Sequence, residues 1–262
     1  MIDPKHFDLP WTAEWSETLD STSLEAVRRA GSGEEGPVWI ATKEQTAGRG
    51  RLGRKWVSEP GNLYTTALLP VSGFSADDSC TPLAIGLAVR DLVVEVTQGR
   101  LIPGLKWPND VRLDGAKLSG ILLETGRRQD ASSDWLCIGI GINLAQAPEI
   151  PDYATASLKS LLPDFIPDPE SALMHLDISV RKRLKQLGHA GRESIISDWM
   201  LATDQKDSMC RVTFGDTIIE GKFAGLDGFG QLRLTKTDGT TQTITAGDVE
   251  LIKERTTNAA GD

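Results

Sequence analysis

The chain has 262 residues, which against roughly 150 per domain means one large domain or two unequal ones. Hydrophobic residues make up 39% and charged residues 25%, the balance of a folded globular protein and not of a disordered one. The formal net charge of −9 opposes general attraction to nucleic acid, and Arg90 and Asp91 interrupt the best apolar run, so a membrane span is not expected.

The N-terminus, MIDPKHFDLP, carries two acids and no apolar core, unlike a signal or transit peptide. After this short segment, Ser21-Thr22-Ser23 precedes LEAVRRA, and Glu25 is spaced to complete a capping arrangement for a helix ending at Gly31. VWIATKE (38–44) and NLYTTALLP (62–70) predict strands, joined by the glycine-rich loop TAGRGRLGRKWVSEPGN. PLAIGLAVRDLVVEVTQ (82–98) has apolar residues at helical spacing and a proline in its first turn.

LKW followed by VRLDGAKLSGILLET predicts a strand, a Pro-Asn-Asp turn and a hairpin tipped by Asp114-Gly115. WLCIGIGIN (135–143) is a further apolar strand, followed by a proline-rich stretch through Pro169. Helices are predicted over 170–188 and 192–202. Beyond Asp207 short alternating strands separated by Gly/Asp turns predict a small β-barrel of about 45 residues, and KERTTNAAGD forms a polar tail. The expected organisation is an α/β domain over 1–206, a small barrel over 207–254 and a flexible tail over 255–262. Cys80, Cys137 and Cys210 are isolated and odd in number, and the three histidines do not cluster. Neither a disulfide framework nor a metal site is implied, and a reducing, cytoplasmic setting is expected.

Between Gly48 and Lys55 lie four cations (Arg49, Arg51, Arg54, Lys55) and no acid. Such an island in an acidic chain fits a small anionic ligand or, more blandly, a solvated loop. Gly48-Arg49-Gly50-Arg51-Leu52-Gly53 matches G-x-G-x-x-G after a strand, yet Pro60 and Gly61 stop the helix that a dinucleotide fold needs. What survives is a loop whose amides can approach an anion, with arginine forks beside them. Trp56 offers a flat face for an adenine, or simply packs. Asn109 and Asp110 of KWPND suit a turn as well as a site. Lys117 suits a solvated strand edge as well as a catalytic cation. The glycines of IGIGIN weaken a strand unless something approaches their backbone, and Asn143 either meets that ligand or ends the strand.

Taken together, QTAGRGRLGRKW, KWPNDVRL, KLSGILLE and IGIGIN, in this order and spacing, closely resemble the biotin–protein ligase family, with ATASLKSLLP as a fifth similar segment. The resemblance runs from about Ser21 to Leu251. It implies a mixed-sheet catalytic domain like that of biotin and lipoate ligases, with a small SH3-like C-terminal barrel. It also implies ATP-dependent formation of biotinyl-5′-AMP, with Mg²⁺ accompanying ATP, and transfer of biotin to a lysine of a carboxylase's biotin carboxyl carrier protein. Carried over by motif, Ser21, Thr22, Ser23, Gln45, Arg49, Gly50, Arg51 and Lys117 line the biotin site. Arg49, Arg51, Trp56, Lys106, Asn109 and Asn143 serve the nucleotide, and Lys117 and Arg51 carry the catalysis. Ser23 stands where the family often has Asn, and PGNLYTT is shorter than the usual form. About twenty residues before Ser21 are too few for the winged helix-turn-helix of the repressor-type members, so operator binding is not expected; edge-to-edge homodimers occur in the family. Lipoate and octanoate ligases share the fold, and an all-apolar tunnel in place of polar groups beside Gln45 would favour them. A catalytically silent binding protein is the remaining reading.

Overall fold

The computed structural model describes residues 2, 4–73, 75–127, 134–151 and 153–252. The predicted tail falls outside these residues. A seven-stranded sheet is built from β1 (Thr12–Leu19), β2 (Val38–Gln45), β3 (Leu63–Val71), β4 (Gly104–Lys106), β5 (Asp110–Leu113), β6 (Ala116–Arg127) and β7 (Asp134–Ile142). Their order is β1-β2-β3-β7-β6-β5-β4; β1 and β2 run parallel and every other neighbour is antiparallel.

β1 is the one strand of this sheet that the sequence reading lacks. TAEWSETL occupies an edge and is mostly exposed, so it carries no clean apolar alternation to signal it. The hairpin of β5 and β6 turns at Asp114 (φ 49°) and Gly115 (φ 80°), the left-handed pair that a two-residue hairpin demands.

The sheet has two unequal faces. Helix α2 (Thr81–Val96) and the long α4 (Pro169–Ala202) cover one face and bury Leu63, Ala67, Leu69, Ile138, Ile140 and Ile142 beneath them. α4 is broken at Gly191 (φ 74°, ψ −178°), so it reads as the two helices expected, with the break three residues past the predicted end. A one-turn helix, α3 (Leu158–Leu161), closes the proline-rich connection.

The opposite face is covered in part by α1 (Thr22–Gly31), over a smaller cluster of Ala26, Ala30, Val38, Ile40, Leu68 and Cys137. The anticipated cap of α1 does not form. Ser21 sits at the N-cap but its hydroxyl meets that of Ser23 at 3.0 Å, and Glu25 pairs instead with Arg28 and Arg29. With Ser21 as N-cap the third helical residue is Leu24, so Glu25 lies one position too far along to reach back. The part of this face left uncovered by α1 holds the cavity described below.

The C-terminal strands β8 (Met209–Phe214), β9 (Thr217–Leu226), β10 (Leu232–Thr235), β11 (Thr241–Ile244) and β12 (Asp248–Ile252) form an antiparallel sheet in the order β11-β10-β9-β8-β12. The expected barrel is corrected here to an open sheet: its short edge strands β11 and β12 do not pair with each other among the described residues. Its Cys210, Val212, Leu232, Leu234 and Val249 join the main apolar core, so burial against the larger unit stands in for closure.

Candidate functional site

A cavity of about 380 Å³ lies between the N-terminus of α1, the glycine-rich loop, the open face of β3, β7 and β6, and the side of Pro148, Ile150, Tyr153 and Thr155. Alternation along IGIGIN explains its floor. The isoleucines point into the core, while Gly139 and Gly141 present bare backbone to the cavity. Trp56 packs on Gly141 and on Gly120 of the neighbouring strand: a Cβ on Gly141 would lie 2.5 Å from its Cε2, and one on Gly120 would lie 2.9 Å from its Cζ3.

Lys117 reaches this face through a β-bulge. Between Val111 and Arg112 the register of β5 on β6 slips by one residue, so Arg112 opposes Lys117 and Val111 opposes Ser119. The extra residue, Leu118, goes fully buried into the core. Its insertion flips the alternation and leaves Lys117 on the same face as Gly120 and Leu122.

One end of the cavity is polar. The Gln45 Oε1 accepts from the Thr22 backbone N–H (2.8 Å) and hydroxyl (3.3 Å), and its Nε2 donates to Ser58 Oγ at 2.9 Å. Thr66 Oγ1 donates to Thr22 Oγ1 at 2.9 Å, and Ser21 and Ser23 complete the group. These hydroxyls and amides offer both donors and acceptors to a compact polar head.

The rest of the rim is cationic. Arg49, Arg51, Arg54, Lys55 and Lys117 all line the cavity, and among the described residues no Asp or Glu does. The loop that carries most of them is a small folded-back turn: Gly50 N–H donates to Arg54 O (2.7 Å), Trp56 N–H to Gly48 O (2.9 Å), and Arg49 bridges Lys55. Leu52 and Gly53, both with positive φ, form its tip. Each arginine is tethered: Arg49 to Glu124 (2.8 Å) and Arg54 to Asp248 (2.6 Å) just outside the wall, and Arg51 to Asn109 Oδ1 (3.0 Å) within it. Burial lowers the pKa of Arg51 from its ordinary value, partly offset by Asp248. A desolvated guanidinium of this kind interacts strongly with any anion that enters.

Behind the rim, buried Asp110 binds Lys117 Nζ at 2.6 Å and accepts from Tyr153 Oη at 2.6 Å. Burial pushes the Asp110 carboxyl up, but Lys117 and Lys106 together outweigh it and hold the group below the usual carboxylate range.

Of the residues expected in the site, Ser21, Thr22, Ser23, Gln45, Arg49, Gly50, Arg51, Trp56, Asn109, Lys117 and Asn143 all line the cavity. Lys106 does not. It is buried behind Asp110, 3.9 Å from its carboxylate, and burial depresses its pKa. Asn143 donates to Ala156 O and leaves its Oδ1 with no hydrogen-bond partner among the described residues. Thr66, Ser58, Gly120 and Tyr153 were missed. Thr66 lay in a recognised strand whose facing was not assigned, and nothing in the sequence around Tyr153 singled it out.

Among the described residues no group of three or more His, Cys, Asp or Glu side chains is placed to hold a metal ion, and no helix is long and apolar enough to cross a membrane.

Residues 15–143 match the Biotin/lipoate A/B protein ligase family and residues 207–252 the Biotin protein ligase C terminal domain. The chain is 32% identical over 235 residues to the biotin–[acetyl-CoA-carboxylase] ligase of Paracoccus denitrificans, covering 88% of this chain and 96% of that protein. It superposes on the biotin protein ligase of Aquifex aeolicus in complex with biotin and ATP with a TM-score of 0.75 at 27% identity, over 92% of this chain and 99% of the other. For the Leishmania major biotin protein ligase in complex with biotinyl-5-AMP the TM-score is 0.61 at 26% identity, over 91% and 100%. With both parts of the fold matched and a relative covered almost end to end, the chain belongs to the biotin protein ligase family.

Proposed function

We propose that the chain is an ATP-dependent biotin–protein ligase. It condenses biotin with ATP to biotinyl-5′-AMP, releasing pyrophosphate, and passes biotin to one lysine of a carboxylase's biotin carboxyl carrier protein. The observation that carries this reading is a cavity with a hydrogen-bonding end at Gln45, Thr22 and Thr66 and a rim of five cations.

In the first step a biotin carboxylate oxygen attacks the α-phosphorus of ATP, the bond from that phosphorus to the bridging oxygen breaks, and pyrophosphate leaves. Bringing the carboxylate to a triphosphate is costly: two unit charges ~4 Å apart repel by roughly 4 kcal/mol at an effective dielectric of ~20. Arg49, Arg51 and Lys117 offset that repulsion and stabilise charge developing on the carboxyl and phosphoryl oxygens. The polar end holds the ureido ring, whose N–H and C=O groups need both acceptors and donors. Trp56, Asn109 and Asn143 serve the nucleotide from the floor and the far wall. Lys106 acts from behind Asp110.

Mg²⁺ enters as part of Mg–ATP. Among the described lining residues there is no carboxylate, so phosphate oxygens and water would hold the ion, with Asn109 nearby, in keeping with the habit of Mg²⁺ to keep several waters. In the second step the acceptor lysine amine attacks the carbonyl carbon of the mixed anhydride. The carbon–oxygen bond to the phosphate breaks, AMP leaves with the electron pair, and the amine sheds a proton.

Pyrophosphate release from Mg–ATP, with biotin, lipoate or octanoate supplied separately, tests the reading. Release with biotin alone is expected, followed by transfer when a carrier domain is added. Release only with lipoate or octanoate would move the chain to the sister activities, and no release with any of them would leave a binding role.

A further inference from the structure

We infer that Tyr153 is a positioning residue for Lys117, acting through the Asp110 carboxylate and through its own ring. Its phenol donates to Asp110 Oδ2 at 2.6 Å, while Lys117 Nζ takes Asp110 Oδ1 at 2.6 Å. The carboxylate thus faces the phenol with Oδ2, which Lys106 also approaches at 3.9 Å, and the Lys117 ammonium with Oδ1 as an ion pair. The Tyr153 ring also faces the lysine: its centroid is 5.5 Å from Lys117 Nζ, and the Trp56 ring lies 5.6 Å from the same atom. The ammonium is thus held between two aromatic rings and one carboxylate, with 19% of the side chain exposed.

The backbone supports the same arrangement. Lys117 N–H donates to Ala154 O (2.8 Å) and Ala156 N–H to Lys117 O (2.9 Å), so residues 154–156 lie along β6 as a short added strand. That strand meets Lys117 where the bulge at Leu118 disturbs its pairing with β5. Fixing a flexible four-carbon side chain is the purpose such a clamp serves, because a misplaced cation loses its effect on a developing charge. Lys117 and Lys106 hold Asp110 below the usual carboxylate range, and burial with the neighbouring carboxylate pushes the Tyr153 phenol up, in keeping with a phenol that donates and a carboxylate that accepts.

The activity arm of the test rests on the biotin–ATP reading; the labelling arm does not. Tyr153→Phe removes the hydroxyl and keeps the ring, and Tyr153→Leu removes both. In the first arm, acetic anhydride labels amines and mass spectrometry follows Lys117 against the exposed Lys43. Labelling of Lys117 is expected to quicken severalfold in Tyr153→Phe and further in Tyr153→Leu. In the second arm, kcat for pyrophosphate release falls about 3–10-fold in Tyr153→Phe while KM for biotin and ATP stays within about twofold, the pattern of an interaction realised in the transition state. Unchanged labelling of Lys117 in both variants would overturn the inference. So would a rise in KM at constant kcat, which would place Tyr153 on the substrate itself. A wild-type protein that releases no pyrophosphate with biotin would overturn the functional reading alone, since labelling still reports on the clamp.

Discussion

Arg54 in the glycine-rich loop and Asp248 at the start of β12 meet at 2.6 Å across 194 residues of sequence. The contact ties the most cationic loop of the chain to the C-terminal sheet and gives that sheet a place at the cavity rim. Arg54 is 58% exposed and Asp248 36%, so the pair is worth at most about 1 kcal/mol of stability. Its effect should be on the loop and not on the fold. In Asp248→Ala, trypsin should cut faster at Arg51, Arg54 and Lys55 and KM for ATP should rise, with the melting temperature within about 4 °C of wild type. Unchanged proteolysis and unchanged KM would show that the loop is held without the sheet.

Lys117→Ala removes the one lysine that the bulge delivers to the cavity face. Adenylate formation should fall by ~10²–10³, the usual loss for one preorganised donor to a developing oxyanion. Asp110 keeps Tyr153 and Lys106 as partners, so the variant is expected to fold. Single-turnover adenylation at the wild-type rate would sink the assignment.

Gly141 and Gly139 share the floor but not its tolerance. A side chain at 141 collides with the Trp56 ring, whereas a Cβ at 139 meets nothing nearer than 3.4 Å. Gly141→Val should displace Trp56 and raise KM for ATP by about tenfold, or lose about 1–3 kcal/mol of stability if the ring holds its place. Gly139→Ala should be close to neutral in both. Equal behaviour of the two variants in melting and ATP titrations would mean that Trp56 is not seated on Gly141.

The buried thiols give a pH prediction. Burial pushes Cys137 up to about 12, with Glu124 adding to the effect, and pushes Cys210 up to about 11. A thiol near 12 is thiolate to roughly one part in 10⁴ at pH 8, so neither residue should react with iodoacetamide until the chain unfolds. The raised folded-state values mean that the folded chain holds more protons than the unfolded one above the ordinary thiol value of 9.0. The stability they contribute is complete below pH 9 and should drain away between pH 9 and about 12. Denaturant midpoints that stay flat across that interval would contradict the burial argument.

Most local structure was legible because it depends on neighbours in sequence. Period-3.6 apolar spacing marked α2, and Asp114-Gly115 marked a hairpin that only left-handed residues can make. The strict Ile/Gly alternation of IGIGIN implied a strand approached on its bare side, and Trp56 proved to be the group that approaches. The motifs likewise named eleven residues that do line the cavity. What the sequence could not decide is which partner each element meets. β1 becomes a strand only because β2 is there to pair with it, and β11 and β12 stay apart because the core offers the C-terminal sheet another way to bury its apolar face. The side on which Lys117 emerges depends on a one-residue slip between β5 and β6, invisible in either strand alone. Lys106 fell behind the cavity wall, and Tyr153 and Asp248 reached the site from distant segments. Periodicity and turn chemistry are set by φ and ψ within a few residues, and these the sequence determined by itself. Register, facing and ion pairing are set by long-range packing and emerge once the chain has folded.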